Sequence, residues 1–242
     1  MSIRVQEPGV IESGISPGAA ARGPKHLSLI SAAELMPEGR ETPAKSITKA
    51  IHPSRNIPLF PGMTLARSRV HEVMGRAADG FILSVLAAGS GPIIWTGRQG
   101  RIASLCPLAM NGFFDPARLV TTACISRKEI LWATEQALRS RGTDMVVAEL
   151  TQGPSLRESR RLQLAAEAGR TLGLILIERG AQSSAAQTRW HCEPASNPNN
   201  EGGLWHWQLL KNKAGQRGSW QVKWKERGSE TGYVHMVSAS SA

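Results

Sequence analysis

The centre of the chain alternates between short apolar runs and longer helix-forming segments. The apolar runs have the length and the flanking turn residues of buried strands. They are Val70–Met74, Pro92–Thr96, Arg118–Ile125, Asp144–Leu150 and Leu172–Ile177. The helix-forming segments between them are Phe81–Ala88, Arg101–Met110, Ser126–Arg141 and Ser155–Arg170. This alternation predicts an α/β fold with a mostly parallel sheet, flanked by helices on both faces and joined by right-handed crossovers.

Two of the predicted helices begin with a capping-box pattern. Ser126 is followed three residues later by Glu129, and Ser155 is followed in the same way by Glu158. In this arrangement a hydroxyl and a carboxylate accept hydrogen bonds from amides that the first helical turn leaves unpaired. The two starting points are therefore the best defined helix boundaries in the sequence.

After Gly180 only strand-like segments follow. Thr188–Glu193 predicts one strand, and Leu204–Lys211 with Gly218–Lys225 predicts a hairpin. Near the other end, Leu27–Met36 predicts one short helix in a stretch rich in Gly, Pro, Ala and Ser. The predicted organisation is a flexible N-terminal region (1–56), an α/β core (57–180), a β-rich C-terminal extension (181–228) and a polar tail (229–242).

Composition narrows the class of protein. The chain has 242 residues and a formal net charge of +10, which favours anionic partners, nucleic acid first and acidic protein surfaces second. A soluble basic protein without a nucleic-acid role is the alternative. The three cysteines are dispersed and form no CxxC pair, so we expect neither a disulfide framework nor a zinc site. No apolar stretch has the length of a signal peptide core or a membrane span, so we expect a cytoplasmic protein.

The predicted turn between the first strand and the first helix has the glycine spacing of a phosphate-binding loop. Such a loop reads G-x-x-x-x-G-K-[ST]; its amides surround phosphate, its lysine neutralises charge and its hydroxyl binds magnesium. In order, the residues here are Gly75, Arg76, Ala77, Ala78, Asp79, Gly80, Phe81 and Ile82. Phe81 replaces the lysine, Ile82 replaces the hydroxyl residue, and Asp79 adds a negative charge. We therefore predict a degenerate nucleotide loop, with no catalytic residue, no metal and no cofactor.

Glu149 ends the apolar run that begins at Asp144, which is the place of a Walker B acid that positions magnesium. The other interpretation is a carboxylate at a strand end that faces solvent or pairs with a basic neighbour. Because the loop lysine is absent, the second interpretation is favoured.

The predicted hairpin is rich in tryptophan and in basic residues. Trp205 and Trp207 alternate with polar residues in one arm, and Trp220 and Trp224 do so in the other. This period of two favours packing of the Trp face onto the core over stacking on single-stranded bases. The candidate contacts to DNA or to a partner are Lys211, Lys213, Arg217, Lys223 and Lys225 in the hairpin, and Arg157 and Arg161 on the last predicted helix.

Four segments together resemble the RecA core. They are Val70–Ala88, Pro92–Arg98, Asp144–Leu150 and Leu172–Glu178. Arg98 falls where RecA-type ATPases carry a catalytic glutamate. More narrowly, the chain resembles the ImuA family, RecA-related accessory proteins of bacterial inducible mutagenesis cassettes. The segments that carry this resemblance are Arg69–Val73, Phe114–Leu119, Leu131–Ser140, Ser159–Ala168, Ser184–Trp190 and Gly218–Trp220.

The resemblance implies a non-catalytic role in SOS-induced translesion DNA synthesis. It implies an ImuB-like, polymerase-related partner and an error-prone C-family DNA polymerase, with single-stranded DNA or RecA as further candidate partners, no membrane, and association with the nucleoid when active. Two alternatives stay open. One is a divergent DNA-stimulated ATPase that uses Glu149 with Arg76 or Arg98, and the other is a regulator of RecA filaments.

Overall fold

A computed structural model describes residues 56–180, 183–196, 203–215, 217–227 and 230–241. The short helix expected at Leu27–Met36, like the rest of the N-terminal region up to residue 55, lies outside the described residues. The segment that follows the predicted boundary at residue 57 forms a small hairpin, β1 with β2, that the sequence pattern did not predict.

Eleven strands are formed by the described residues. In chain order they are β1 (Ile57–Phe60), β2 (Met63–Leu65), β3 (Val70–Met74), β4 (Ile93–Arg98), β5 (Leu119–Cys124), β6 (Met145–Gln152), β7 (Leu172–Arg179), β8 (Thr188–Ala195), β9 (Leu204–Asn212), β10 (Gly218–Arg227) and β11 (Glu230–Ser241).

Five α-helices and one 3-10 turn connect these strands in the described part of the chain. They are α1 (Ala78–Ala87), α2 (Gln99–Ala103), α3 (Pro107–Met110), the 3-10 turn Pro116–Arg118, α4 (Arg127–Arg139) and α5 (Leu156–Gly169). None of these helices is both long enough and apolar enough to span a membrane.

Nine strands form one mixed sheet in the order β11-β10-β9-β8-β3-β7-β6-β4-β5. All pairs from β8 through β3 to β5 are parallel, whereas β8 to β11 pair antiparallel. The predicted fold is confirmed: a RecA-like, mostly parallel sheet flanked by helices, with a β-rich C-terminal extension. The extension continues the central sheet instead of forming a separate one, because β8 pairs with β3 on one side and with β9 on the other.

The sheet is covered on two faces because its central strands carry apolar side chains in both directions. On one face, α1 packs with Val147 of β6 and Leu174 of β7 in a core that also contains the tryptophans of β8 and β9. On the other face, α4 and α5 pack on Val146 and Ile175, which are the alternating neighbours of those residues. The fully apolar runs at β6 and β7 thus predicted a doubly covered position in the sheet.

Local hydrogen bonds begin α4 and α5 where the sequence indicated. Ser155 and Glu158 form a complete capping box at α5. At α4 the Ser126 hydroxyl accepts from the Glu129 amide, but the Glu129 carboxylate accepts from the amide of Ile125, one residue before the cap. The second box is therefore one residue wider than the pattern implies.

Three expectations about element boundaries are wrong. The first helix begins at Ala78 instead of Phe81, so Asp79 and Gly80 lie inside it. The single helix expected at Arg101–Met110 is two short helices, because Pro107 cannot donate the hydrogen bond of a helix interior. The polar tail expected after residue 228 contains β11, which pairs with β10.

Candidate functional site

The loop that follows β3 joins the carboxyl end of this strand to α1. Gly75 opens it with a φ of 101°, a conformation that residues with a Cβ rarely adopt. A Cβ at Gly75 would also clash with the backbone carbonyl of Cys192 in β8. The first glycine of the motif is therefore required both by its own conformation and by the close approach of β8.

The amides of this loop are already engaged within the protein. The amide of Ala77 donates to the carbonyl oxygen of Cys192 at 2.9 Å, and the amide of Arg76 donates to Glu193 Oε1 at 3.2 Å. The amide of Ala78 turns back to the Gly75 carbonyl at 3.2 Å. In a phosphate-binding loop such amides point at the ligand. Here these amides donate instead to a carbonyl and a carboxylate of β8 and to a carbonyl of the loop itself.

Phe81 and Ile82 are fully buried in the core beneath the loop. The Phe81 ring lies 5.0 Å from the ring of Trp190 and 4.8 Å from the ring of Trp207. These two tryptophans belong to β8 and β9, so the C-terminal extension packs directly on the position where a phosphate-binding loop carries its lysine. A cation at Phe81 would face aromatic rings and not the loop opening.

Gly80 is in contact with the extension as well. A Cβ added there would lie 2.8 Å from the indole of Trp205 in β9. That indole stacks on Trp207, with a ring separation of 6.1 Å and an interplanar angle of 6°. The second glycine of the motif therefore leaves room for an aromatic side chain.

Glu149 is 5% exposed and is bound by two donors. The indole nitrogen of Trp95 donates to Oε1 at 2.8 Å, and Arg101 Nε donates to Oε2 at 2.8 Å. The hydrogen bond and charge of Glu149 raise the pKa of the Arg101 guanidinium. Both carboxylate oxygens are thus engaged, which is the pairing with a basic neighbour that the sequence left open. Arg98 lies exposed at the end of β4.

A cavity of about 580 Å³ lies over the loop. Its charged lining mixes signs: Arg76, Arg101 and Arg179 lie with Asp79, Glu178 and Glu193. His191 also lines it, and its Nε2 lies 3.4 Å from Glu193 Oε1. Within the described ranges, no group of three or more His, Cys, Asp or Glu side chains is arranged to hold a metal ion.

The tryptophan face of the hairpin packs inward, as its alternation predicted. Trp207 is fully buried and lies opposite Trp220 in the β9–β10 pairing. Phe60 of β1 lies 5.4 Å from the Trp220 ring, while Phe113 lies 4.5 Å from the Trp224 ring. Trp205, Trp220 and Trp224 are partly buried against the same core.

The basic residues of the hairpin differ in their exposure and in their hydrogen bonds. Lys211 Nζ donates to the carbonyl of Ser184 and Lys213 Nζ to that of Ala185, both at 2.6 Å. Burial lowers the pKa of Lys211. These two lysines therefore fasten the segment before β8, whereas Arg217 and Lys225 are exposed and Lys223 is half-buried.

Arg157 and Arg161 lie on α5, away from the hairpin in the fold. Arg157 is exposed, and Arg161 Nη2 bonds to Glu135 Oε2 of α4 at 2.6 Å. The candidate contacts predicted from the sequence are thus divided between the antiparallel extension and the α4–α5 layer.

His71 is buried and completes a chain of hydrogen bonds. Its Nδ1 lies 2.7 Å from Thr188 Oγ1, its Nε2 lies 2.9 Å from the Ala66 carbonyl, and the Trp190 indole donates to Thr188. The Ala66 carbonyl can only accept, so Nε2 carries a proton, and the Thr188 hydroxyl accepts from the Trp190 indole while it also pairs with Nδ1. Burial lowers the pKa of His71 to about 4, so the ring is neutral at pH 7.

Comparison with curated proteins relates this chain to a bacterial protein. The chain is similar to Protein ImuA of Caulobacter vibrioides, in two strains. The identity is 29% over an alignment of 198 residues that covers 70% of this chain and 80% of the relative. No protein-family profile matches the chain.

Proposed function

We propose that the chain, which is 29% identical to Protein ImuA over 70% of its length, is a member of the ImuA family and a non-catalytic, RecA-like accessory protein of SOS-induced translesion DNA synthesis. In this role it bridges an ImuB-like, polymerase-related protein and an error-prone C-family DNA polymerase. Contact with DNA is part of the proposal.

The non-catalytic part of the proposal is supported by the hydrogen bonds and the packing of the β3–α1 loop. The amides of Arg76 and Ala77 are bound by β8, and Phe81 is fully buried against two tryptophans. A nucleotide would have to displace Glu193, which carries the same sign of charge as phosphate. It would do so without the lysine that normally neutralises phosphate. These features support a RecA-like core that serves as a scaffold and not as a motor.

The net charge of +10 supports an anionic partner. Of the candidate contacts in the hairpin, the exposed side chains of Arg217 and Lys225 are those most available to a DNA backbone. Lys211 and Lys213 are held by backbone carbonyls, so we assign them a structural role in fastening the segment at residues 184 and 185.

The proposal is tested by measuring ATP binding and hydrolysis with the purified chain, with and without single-stranded DNA. We expect neither, and we expect the ImuB-like protein to copurify with the chain. A matched variant, Glu149→Gln, removes the one carboxylate that occupies the place of a metal-positioning acid. DNA-stimulated hydrolysis that disappears in Glu149→Gln would contradict the proposal.

The alternative of a divergent ATPase has one observation in its favour. The cavity over the loop is lined by Arg76, Arg101 and Arg179. Their positive charge could neutralise phosphate in place of a P-loop lysine. Against it, Arg101 is bound to Glu149, and three carboxylates line the same space. The hydrolysis assay separates the two functions, and cosedimentation with RecA filaments tests the second alternative, a filament regulator.

A further inference from the structure

A groove of about 430 Å³ runs between α4 and α5, on the face of the sheet opposite α1. Its apolar lining is formed by Leu131, Trp132 and Leu162. Leu162 is buried and Leu131 is half-buried, so both form the floor, whereas Trp132 is 63% exposed and forms a wall. An exposed indole beside an apolar floor is unusual on a soluble surface and is typical of an interface anchor.

Further exposed apolar side chains lie at one end of the groove. Ile125, just before α4, is 81% exposed, and Leu156, the first residue of α5, is 58% exposed. The starts of the two helices are tied together by an ion pair between Arg127 and Glu158 at 2.8 Å. Ile125 and Leu156 thus lie two residues before Arg127 and Glu158, the paired residues that line the groove where both helices begin.

The carboxylates of the groove are already paired within the protein. Glu135 binds Arg161 at 2.6 Å and Arg139 at 3.1 Å. Glu158 accepts from the Ser155 amide and from Arg127, and these bonds lower its pKa. Lys128 lines the groove with an exposed side chain. The charge left for an incoming group is therefore positive.

The charge pattern favours a protein segment over nucleic acid. Three cations and two carboxylates line the groove: Arg127, Lys128, Arg161, Glu135 and Glu158. A phosphate backbone would approach both carboxylates, and the groove offers one indole where single-stranded nucleic acid is bound by successive aromatic side chains along a basic groove. A peptide can place one apolar side chain on the floor and direct its carboxylates only toward the cations at the rim.

We propose that the α4–α5 groove binds a segment of a protein partner in which an apolar side chain is flanked by carboxylates. The apolar side chain lies between Trp132 and Leu162, and the acidic side chains face Lys128 and Arg161. This inference rests on the proposed bridging function and names the surface on which one partner docks.

The test uses the full chain, the purified ImuB-like protein and overlapping fluorescent peptides that cover its sequence. We expect the peptides that bind to be acidic and to carry an apolar residue. Trp132→Ala should weaken their binding at least about tenfold, as truncation of an anchor does. Leu108→Ala is the matched control, because Leu108 is 84% exposed and lies outside the groove. It should bind as the unmodified chain does.

A charge exchange tests the polar part of the groove. Lys128→Glu should weaken binding of an acidic peptide, and replacing the peptide's acidic residues with lysine should restore it. Since Lys128 and Trp132 are both exposed, the variants should unfold at the temperature of the unmodified chain.

The outcomes separate this inference from the proposed function. If the ImuB-like protein binds both groove variants with unchanged affinity, the groove assignment is wrong and the bridging function stands. If it does not bind the unmodified chain, both are wrong. If Trp132→Ala loses binding to a single-stranded oligonucleotide and keeps the protein partner, the groove is a nucleic-acid site and the inference is overturned.

Discussion

Restoring the missing lysine should destroy the fold before it creates a nucleotide site. Phe81→Lys places the P-loop lysine at its usual position, directly after the second glycine of the motif, Gly80. Phe81 is fully buried, however, with aromatic rings 5.0 and 4.8 Å away on β8 and β9. The new ammonium group would therefore be enclosed by the core, far from any phosphate that the loop could hold.

The size of the effect follows from two losses. Removing a buried phenyl ring costs about 3–5 kcal/mol in lost transfer energy and cavity formation, of which the lysine methylenes recover a part. Burying the amine requires that it lose its charge, and a pKa lowered by about 3–5 units corresponds to roughly 4–7 kcal/mol. The sum reaches the whole stability of a typical domain, about 5–15 kcal/mol.

Urea unfolding followed by circular dichroism measures this change. The matched control is Asp79→Lys, which adds a lysine two residues earlier at an exposed site of the same helix. Asp79→Lys should cost only about 0.3–1 kcal/mol, the loss of an acid near a helix N-terminus. If Phe81→Lys unfolds with the same midpoint as Asp79→Lys, or if it binds ATP, the reasoning about the core beneath the loop is refuted.

Three further predictions concern the surroundings of the loop. Gly75→Ala should lower the free energy of unfolding by about 2–4 kcal/mol, because it adds a clash with β8 to an unfavourable φ. Gly62→Ala, with a φ of 84° and open space around it, should lose only about 1–2 kcal/mol in the same urea unfolding assay. Arg101→Ala should lower the free energy of unfolding by about 1–3 kcal/mol, because Glu149 stays buried without its cation. The value is low for a buried carboxylate because the guanidinium is half-exposed and water screens the ion pair. The double variant Arg101→Ala/Glu149→Gln should recover part of it. Because burial lowers the pKa of His71, protonation of this ring favours the unfolded chain. The contribution of the neutral ring to the free energy of unfolding is complete above pH 6.5 and is lost as the pH falls toward about 4. The loss amounts to about 3 kcal/mol.

Each of these has an outcome that would contradict it. Equal costs for alanine at Gly75 and Gly62 would mean that β8 yields without strain. If Arg101→Ala/Glu149→Gln is as unstable as Arg101→Ala, the unpaired charge of Glu149 is not the cause of the lost stability. An unfolding free energy of His71→Gln that falls between pH 6.5 and 4 as steeply as that of the unmodified chain would exclude His71 as the titrating group.

The core of the fold was predictable because its central strands are mostly apolar. Runs such as Met145–Ala148 and Leu172–Ile177 are too short for helices and too apolar for an exposed edge, which leaves a sheet covered on both faces. The capping residues Ser126 and Ser155 added two helix starts by chemistry that acts within four residues.

The parts that the sequence did not predict depend on distant partners. β11 reads as a polar tail because only Val234 and, in part, Met236 face the core, and its strand form comes from pairing with β10. The β1–β2 hairpin is short and contains Pro58, a residue that pattern rules assign to loops. Neither segment carries enough local signal to be recognised alone.

At the site, the sequence indicated which chemistry was missing but not what took its place. The spacing alone predicted that Phe81 and Ile82 stand where the motif has its lysine and hydroxyl residue. That Trp205 covers Gly80, and that Arg101 holds Glu149, both depend on side chains more than 40 positions away in the chain. Arg101 lies in a short helix that the pattern merged with its neighbour, so no spacing rule could have paired it with Glu149.

The apolar residue at position 81 and the extension of the sheet beyond β3 depend on each other. A lysine at position 81 would leave no apolar side chain at the start of α1 for β8 and β9 to pack on. With Phe81 there, Trp190 and Trp207 bury it, and the strand that carries Trp190 also supplies the carbonyl and carboxylate that bind the loop amides. The stability of the extension thus depends on contacts made by Phe81 and by the β3–α1 loop. It follows that a lysine at position 81 could not turn toward the loop opening while β8 and β9 keep these contacts. It also follows that surfaces on the opposite face, such as the α4–α5 groove, are built on a different core and can evolve toward a partner without that constraint.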